Sequence, residues 1–175
     1  MKRALFLDRD GVINKDYGYV YKIEDFKFCK GIFDIVKFFK DRDYLIVVVT
    51  NQSGIGRGYY SKDDFLTLTK YMKDEFKKQR ADIDEVYFCP HEPSSGCRCR
   101  KPNPQMVLDA KERFNIDLEN SWMVGDKQSD IDLAKNAGIG ISVAIGEKDI
   151  KGATYSFKSV DSFKAFLDSN NDKIF

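Results

Sequence analysis

The chain has 175 residues, 42% hydrophobic and 33% charged, which suits one soluble domain over 1–175 and excludes a disordered or fibrous protein. Its formal net charge of +1 provides no whole-molecule field for nucleic acid or an anionic membrane, so an anionic ligand must be met by local lysines and arginines. No apolar run approaches the ~20 residues of a membrane span. Met1-Lys2-Arg3 leads straight into the first predicted strand without a secretory leader, so a cytoplasmic location is expected.

That strand is the apolar run Ala4 to Leu7, which ends in Asp8-Arg9-Asp10-Gly11. In open parallel α/β sheets ligands gather at the carboxyl ends of strands. Two acids held there repel each other unless a cation lies between them, and a hard, oxygen-preferring ion such as Mg²⁺ is the natural choice. One acid would serve as nucleophile and the other as acid and base. The competing reading is a solvated strand-to-loop turn, since Asp and Gly are common in turns.

Residues 11 to 30 read as irregular. Within them Asp16-Tyr17-Gly18-Tyr19-Val20-Tyr21 is either a surface loop packed by its own rings or a substrate-contacting flap over Asp8. A helix follows Gly31, with Ile32, Ile35, Val36 and Phe39 on its core face. Leu45 to Thr50 reads as a fully buried parallel strand. It runs into Thr50-Asn51-Gln52-Ser53-Gly54-Ile55-Gly56-Arg57-Gly58, where a hydroxyl and loop N–H groups suit a phosphate. The glycine spacing is not the dinucleotide fingerprint, and Arg57 favours phosphate contact over a merely flexible loop. Ser61 to Asp64 fits a capping box heading a helix whose Phe65, Leu68, Met72 and Phe76 face the core.

After a short strand at Val86-Tyr87-Phe88 come Cys89, His91, Cys97 and Cys99, three of the four cysteines and the single histidine within eleven residues. Three thiolates and an imidazole make a closed tetrahedral Zn²⁺ site, structural because no position is left for water. Such a site staples a loop, about residues 89–99, that has few apolar side chains to pack. Cys29 stands apart as a small buried hydrophobe. Arg100 and Lys101 follow the zinc loop and, so tethered, are candidates for binding phosphate. Asn103 as N-cap and Pro104 as first residue open a helix with Met106, Val107, Ala110 and Phe114 inward.

Trp122 to Val124 leads to a third strand tip, Gly125-Asp126-Lys127-Gln128-Ser129-Asp130. Asp126 would complete the oxygen shell of the cation at Asp8, Lys127 adds positive charge and Asp130 anchors the loop. Ser129 is placed to cap the next helix, which Gly138 ends. Strands are expected at 139–145 and 154–157. A closing helix carries Val160, Phe163, Phe166 and Leu167, and the polar tail 168–175 is expected to fray.

Taken together, Asp8-Arg9-Asp10-Gly11, Thr50 at its strand end, Lys101, and Gly125-Asp126 with Asp130 resemble the four ordered motifs of the haloacid dehalogenase (HAD) superfamily of phosphatases. Asp16 to Val20, the Thr50–Gly58 loop, Cys89-Pro90-His91, Cys97 to Pro102 and Met123 to Lys127 extend the resemblance to the sugar-phosphate members of its histidinol-phosphatase-like group. It fades after Ile145. The resemblance implies an α/β fold, a Rossmann-like three-layer parallel sheet with no large cap domain and with a zinc-binding loop. It implies that Asp8 attacks phosphorus to form an aspartyl-phosphate, and that Asp10 first protonates the leaving oxygen and then deprotonates water. Mg²⁺ would be held by Asp8, the Asp10 backbone carbonyl and Asp126, with Thr50 and Lys101 stabilising the transferring group. Asp16, Tyr17, Gly18, Tyr19, Asn51, Gln52, Ser53, Arg100 and Lys127 would hold the sugar and a second phosphate. The implied substrate is the small sugar bisphosphate heptose 1,7-bisphosphate, losing its 7-phosphate in the supply of nucleotide-activated heptose for bacterial surface glycans. Histidinol phosphate or another small metabolite is the alternative. A monomer without nucleic-acid or membrane partners is expected. A non-catalytic zinc-stapled module would lack at least one of Asp8, Asp10, Lys101 or Asp126, and all four are present.

Overall fold

A computed structural model describes residues 1–174. Six parallel strands, β1 (Ala4–Leu7), β2 (Leu45–Asn51), β3 (Glu85–Cys89), β4 (Trp122–Gly125), β5 (Ile141–Ile145) and β6 (Tyr155–Phe157), form one sheet in the order β3-β2-β1-β4-β5-β6. The helices are α1 (Ile32–Lys40), the single turn α2 (Ser53–Gly56), α3 (Lys62–Lys78), α4 (Gln105–Phe114), α5 (Gln128–Ala137), α6 (Val160–Ser169) and the short α7 (Asn171–Ile174). This is the expected three-layer arrangement, and among the described residues no inserted cap domain interrupts it.

The period-2 alternation of the central strands divides the core. Leu5, Leu7, Ile46 and Val48 point to the layer of α1, α3 and α6, where Phe39, Phe76 and Phe163 pack. Ala4, Phe6, Val47 and Val49 point to the layer of α4 and α5, against Val107, Ala110 and Leu133. Apolar on both faces, β1 and β2 can only be central strands covered on both sides. Every core side chain of β1 is fully buried, so truncating Phe6 to Ala is expected to cost about 3–5 kcal/mol.

The Ser61 capping box forms as read. Ser61 Oγ accepts from the Asp64 N–H at 3.0 Å, and Asp64 Oδ2 accepts from the Ser61 N–H at 2.9 Å. Other boundaries shift. Pro104, not Asn103, is the N-cap of α4, and the Asn103 amide instead donates to the Cys97 carbonyl at 3.1 Å. Ser129 lies inside the first turn of α5 rather than capping it. The Asp130 carboxylate takes that role, accepting from the Lys127 N–H at 3.1 Å. Strand β5 begins at Ile141, two residues later than its apolar run. The expected frayed tail is helical through Ser169 and again over Asn171–Ile174, with residue 175 outside the described residues.

Candidate active site

The strand register aligns the catalytic candidates. Leu7 pairs with Val48 on one side and Val124 on the other, so β1, β2 and β4 end side by side. Asp8, Thr50 and Asp126 therefore lie at neighbouring tips, all three buried. Lys101 reaches this point from the segment after the cysteine loop. Its Nζ lies 2.8 Å from Asp8 Oδ1, 2.7 Å from Asp130 Oδ1 and 2.9 Å from the Val49 carbonyl. Asn51 fixes the Lys101 backbone at both ends, accepting from its N–H at 3.0 Å and donating to its carbonyl at 3.3 Å.

Two glycines make this approach possible. A Cβ on Gly11, which has φ +90°, would lie 2.1 Å from Asp126 Oδ2, so only glycine lets that carboxylate sit against the backbone next to Asp10. A Cβ on Gly125 would strike the Asp130 Cβ at 2.1 Å. Asp130 thus folds back under the tip, and its Oδ2 also accepts from the Asp126 N–H at 3.2 Å.

Oxygen atoms of Asp8, Asp126 and Asp130 all lie within 4.8 Å of one another. Burial, reinforced by Asp130 and only partly opposed by Lys101, holds the Asp8 carboxyl well above the usual carboxylate range. Burial raises Asp126 as well, against the pull of Lys127. Burial disfavours charge on Lys127, but Asp8, Asp126, Asp16 and Asp130 outweigh it and keep the ammonium charged. Lys127 bridges Asp126 Oδ1 at 3.4 Å and Asp16 Oδ2 at 3.5 Å. Three buried acids against two lysines leave the site short of positive charge even before a phosphate enters. Its all-oxygen donors suit a hard divalent cation such as Mg²⁺.

Asp10 behaves differently. Its carboxylate turns away from the acid cluster, and its Oδ1 accepts from Arg9 Nη2 at 2.8 Å and Asn14 Nδ2 at 3.0 Å. Its Oδ2 accepts from Gln52 Nε2 at 3.0 Å, and the same Gln52 nitrogen donates to Thr50 Oγ1 at 2.9 Å. Burial disfavours the Asp10 charge, but the Arg9 guanidinium and these hydrogen bonds outweigh it and lower the carboxyl below its ordinary value. Any share of Asp10 in holding a cation therefore falls to its main-chain carbonyl.

Asp8, Asp10, Gln52, Lys101, Lys127 and Asp130 line a cavity of about 390 Å³ together with Asp16, Gly18, Tyr19, Asn51, Ser53 and Arg100, in the size range of small-ligand sites, whereas Thr50 and Asp126 lie outside its lining. The Tyr19 and Tyr21 rings of the Asp16–Tyr21 segment pack not on one another but on the loop before α3. Tyr19 packs edge-on to Tyr59 at 4.8 Å, and Tyr21 stacks on Tyr60 at 5.1 Å, while Asp16, Gly18 and Tyr19 rim the cavity. Tyr17 is exposed and does not line it. Arg100 carries a buried Nη1 without a hydrogen-bond partner. Arg57, expected to meet phosphate, is exposed and lies outside the lining, because the glycine-rich segment coils into α2 and carries it away. A neighbouring concavity of about 450 Å³, lined by Lys15, Cys29, Lys148 and Lys158, touches Asp126 but none of Asp8, Asp10, Thr50 or Lys101. Cys29 there is half-buried against the core, and burial pushes its thiol up to about 11.

Sequence reasoning missed Arg9, Asn14 and Tyr60. Arg9 is 2% exposed, donates to the Val20 carbonyl at 2.6 Å and faces the Phe26 ring. A charge between two acids was visible as a signal; nothing local marks Tyr60.

On the far side of the Arg100–Lys101 segment, Cys89, His91, Cys97 and Cys99 bring their ligand atoms within 4.8 Å of one another. Cys89 Sγ lies 3.6 Å from Cys97 Sγ and 3.4 Å from His91 Nδ1, and His91 Nδ1 lies 3.2 Å from Cys99 Sγ. None of the cysteines is in a disulfide. Three sulfurs and one imidazole nitrogen gathered in this way are compatible with a tetrahedral Zn²⁺ ion.

Residues 98–155 match the HAD-hydrolase-like family model. The chain is 49% identical over 166 residues to a D-glycero-alpha-D-manno-heptose-1,7-bisphosphate 7-phosphatase of Campylobacter jejuni, covering 94% of this chain and 95% of that protein. The chain belongs to the heptose-bisphosphate phosphatase family of HAD-like hydrolases. A family member from Helicobacter pylori, named for the beta anomer, is 44% identical across 95% of this chain and 96% of its own. The crystal structure of D,D-heptose 1,7-bisphosphate phosphatase from B. bronchiseptica, complexed with magnesium and phosphate, superposes with a TM-score of 0.86 at 27% identity, covering 97% of this chain and 99% of that one.

Proposed function

We propose that the protein removes the 7-phosphate of D-glycero-D-manno-heptose 1,7-bisphosphate, giving the 1-phosphate through an aspartyl-phosphate on Asp8. The observation that carries this is the meeting of Asp8, Lys101, Asp126 and Asp130 at one point, inside a chain 49% identical to a phosphatase of that name. An Asp8 oxygen attacks the 7-phosphorus in line and the phosphorus–sugar oxygen bond breaks. Asp10, in its protonated form, gives its proton to the departing sugar oxygen, its lowered carboxyl being a ready donor, then accepts one from water as the water oxygen attacks phosphorus and frees Asp8. Lys101 and Thr50 hold the phosphoryl oxygens.

The residues fit Mg²⁺, held by Asp8, the Asp10 carbonyl and Asp126; when bound it offsets negative charge on the phosphoryl group. Arg100, with an unpartnered buried Nη1, would receive the second phosphate together with Lys127, and Asp16, Gly18 and Tyr19 with Asn51 to Ser53 would shape the sugar site. Gln52 and Asn51 also serve inward, on Asp10 and Lys101. Cys89, His91, Cys97 and Cys99 would hold a structural Zn²⁺. One chain carries the whole site, which supports a monomer built as one phosphatase domain. Among the described residues no helix is long and apolar enough to cross a membrane; a cytoplasmic enzyme supplying sugar 1-phosphate for nucleotide activation is the reading we propose.

The test is phosphate release from both anomers of heptose 1,7-bisphosphate and from histidinol phosphate, with the product identified. Preferential turnover of the bisphosphate to the 1-phosphate is expected, and the preferred anomer is assigned by the same assay. Faster turnover of histidinol phosphate overturns the substrate.

A further inference from the structure

We propose that Tyr60 is a positioning residue for the reaction: its hydroxyl locks the Gln52 amide with the NH₂ end toward Asp10, so that the Asp10 proton goes to the leaving oxygen rather than into the protein. The proposal rests on the assignment of Asp10 as general acid.

The two oxygens of Asp10 are not equivalent. Oδ1 takes the Arg9 guanidinium and the Asn14 amide, whereas Oδ2 takes only Gln52. Oδ2 is therefore the oxygen with a lone pair free for a transferable proton. A primary amide has a donor end and an acceptor end. With the NH₂ inward, Gln52 donates to Oδ2 and to Thr50 Oγ1, and cannot accept the acid's proton. Reversed, its carbonyl oxygen would face Oδ2 and take that proton in a hydrogen bond, removing it from the substrate.

Tyr60 sets this choice from the other side, by donating its hydroxyl to Gln52 Oε1. Burial pushes the phenol up to about 12, so it remains a donor throughout the working range. The ring itself is clamped. A Cβ on Gly54 would lie 2.2 Å from Tyr60 Cε1, so the ring rests directly on that glycine, and Tyr21 stacks on it with planes 10° apart. Gly54, Tyr60 and Gln52 thus form a chain that ends on the acid, and Tyr60 acts only through Gln52.

The experiment compares Tyr60→Phe with the unaltered enzyme on heptose 1,7-bisphosphate and on p-nitrophenyl phosphate. The sugar alkoxide needs a proton to leave; p-nitrophenolate does not, so the acid contributes little to its departure. The expected result is a loss of about 10- to 30-fold in kcat/KM for the sugar substrate, carried by kcat with KM within about twofold, against a loss under about threefold for the aryl substrate. Gln52→Leu is expected to show the same selectivity and carries the test should Tyr60→Phe fail to fold. The Gln52→Leu/Tyr60→Phe double variant should lose no more than Gln52→Leu alone, because both act on one hydrogen bond. Equal losses on both substrates, additive losses in the double variant, or unaltered sugar turnover would overturn the proposal. Asp10→Asn separates it from the reading beneath: if that variant keeps turning over the sugar substrate, the acid assignment has failed. If it does not, while Tyr60→Phe behaves as the unaltered enzyme, the tyrosine proposal alone has failed.

Discussion

Two clusters of side chains that could each hold a metal ion are built in opposite ways. The thiol–imidazole cluster comes from eleven consecutive residues on one loop, much of it open to solvent. The carboxylate cluster joins residues 8, 126 and 130 from two strand tips, with Lys101 from a third segment, and all four are buried. The first needs little of the fold to assemble and ties down chain that has few apolar groups to bury. The second exists only once the sheet is complete, and it concentrates like charges where burial magnifies their repulsion. With a metal bound, the loop cluster would add stability; the strand-tip cluster costs stability and yields a site suited to a cation and a phosphate.

The sharpest separation of the two comes from Asp8→Asn. Phosphate release should fall on the order of 10⁴-fold or more, because no other group can take the phosphoryl bond. The same variant should keep its thermal transition and its metal content at the cysteines, as read by metal analysis of the purified protein. Turnover near that of the unaltered enzyme would remove Asp8 as nucleophile.

Lys101→Met strikes the place where the strand-tip cluster is balanced. Removing the ammonium leaves Asp8 and Asp130 facing each other, buried and without their cation. A loss of stability of about 3–5 kcal/mol is expected from breaking a buried pair on one side. Turnover should fall by roughly 10²–10³ with the loss of a preorganised charge at the phosphoryl group. Urea unfolding with an unchanged slope and a lower midpoint would show the first effect; a midpoint within error of the unaltered protein would mean that the pair is not stabilising.

The two clusters also differed in how far the sequence disclosed them. The cysteine loop was readable because ligand type and spacing are both local: C-x-H and C-x-C within one loop leave little else to explain. The central strands and the core faces of α1, α3 and α6 were readable because apolar periodicity states which face is buried. At the strand tips the sequence disclosed the acids and Lys101, but not that Asp130 pairs with Lys101, nor that Gln52 faces inward to Asp10. Those contacts link residues 29 and 42 positions apart and depend on glycine contacts visible only in three dimensions. Arg57 was misplaced for the converse reason: proximity in sequence to Thr50 suggested proximity in space, and one turn of helix undid it. The start of α4 slipped by one residue because a tertiary partner, the Cys97 carbonyl, took the Asn103 amide.

Removing metal from the cysteine loop should produce a smaller effect with a particular shape. Chelation, or Cys97→Ser, is expected to lower stability by about 2–4 kcal/mol, the linkage contribution of a ligand held well above its dissociation constant. Arg100 hangs on that loop, so KM should rise. Lys101 is also pinned by the Asn51 amide on its own N–H and carbonyl and, at its ammonium, by two acceptors and the Asp130 ion pair, so kcat should change by less than about threefold. A fall in kcat as large as the rise in KM would show that the two clusters are coupled more tightly than their separate anchors suggest.

The smallest expected effect concerns pH and the strand-tip cluster alone. Asp8 and Asp126 are both raised, chiefly by burial. In the metal-free protein, above the ordinary carboxylate pKa of about 4, the folded state holds protons that the unfolded chain has released. Stability from these groups therefore falls as pH rises from there toward their folded values, the reverse of a salt-bridged acid. A divalent cation bound between them favours the ionised form and removes that cost. The rise in Tm on adding Mg²⁺ should accordingly be greater near pH 7.5 than near pH 5.5, by about a few degrees for a chain of this size. Taking the difference with and without Mg²⁺ at each pH cancels the titration of the cysteine loop and of the surface, so the remaining dependence reports the acids at the tips. A Mg²⁺ effect that is flat across this range would mean that those carboxyls are already ionised in the metal-free fold, and that Lys101 and Lys127 balance them without help.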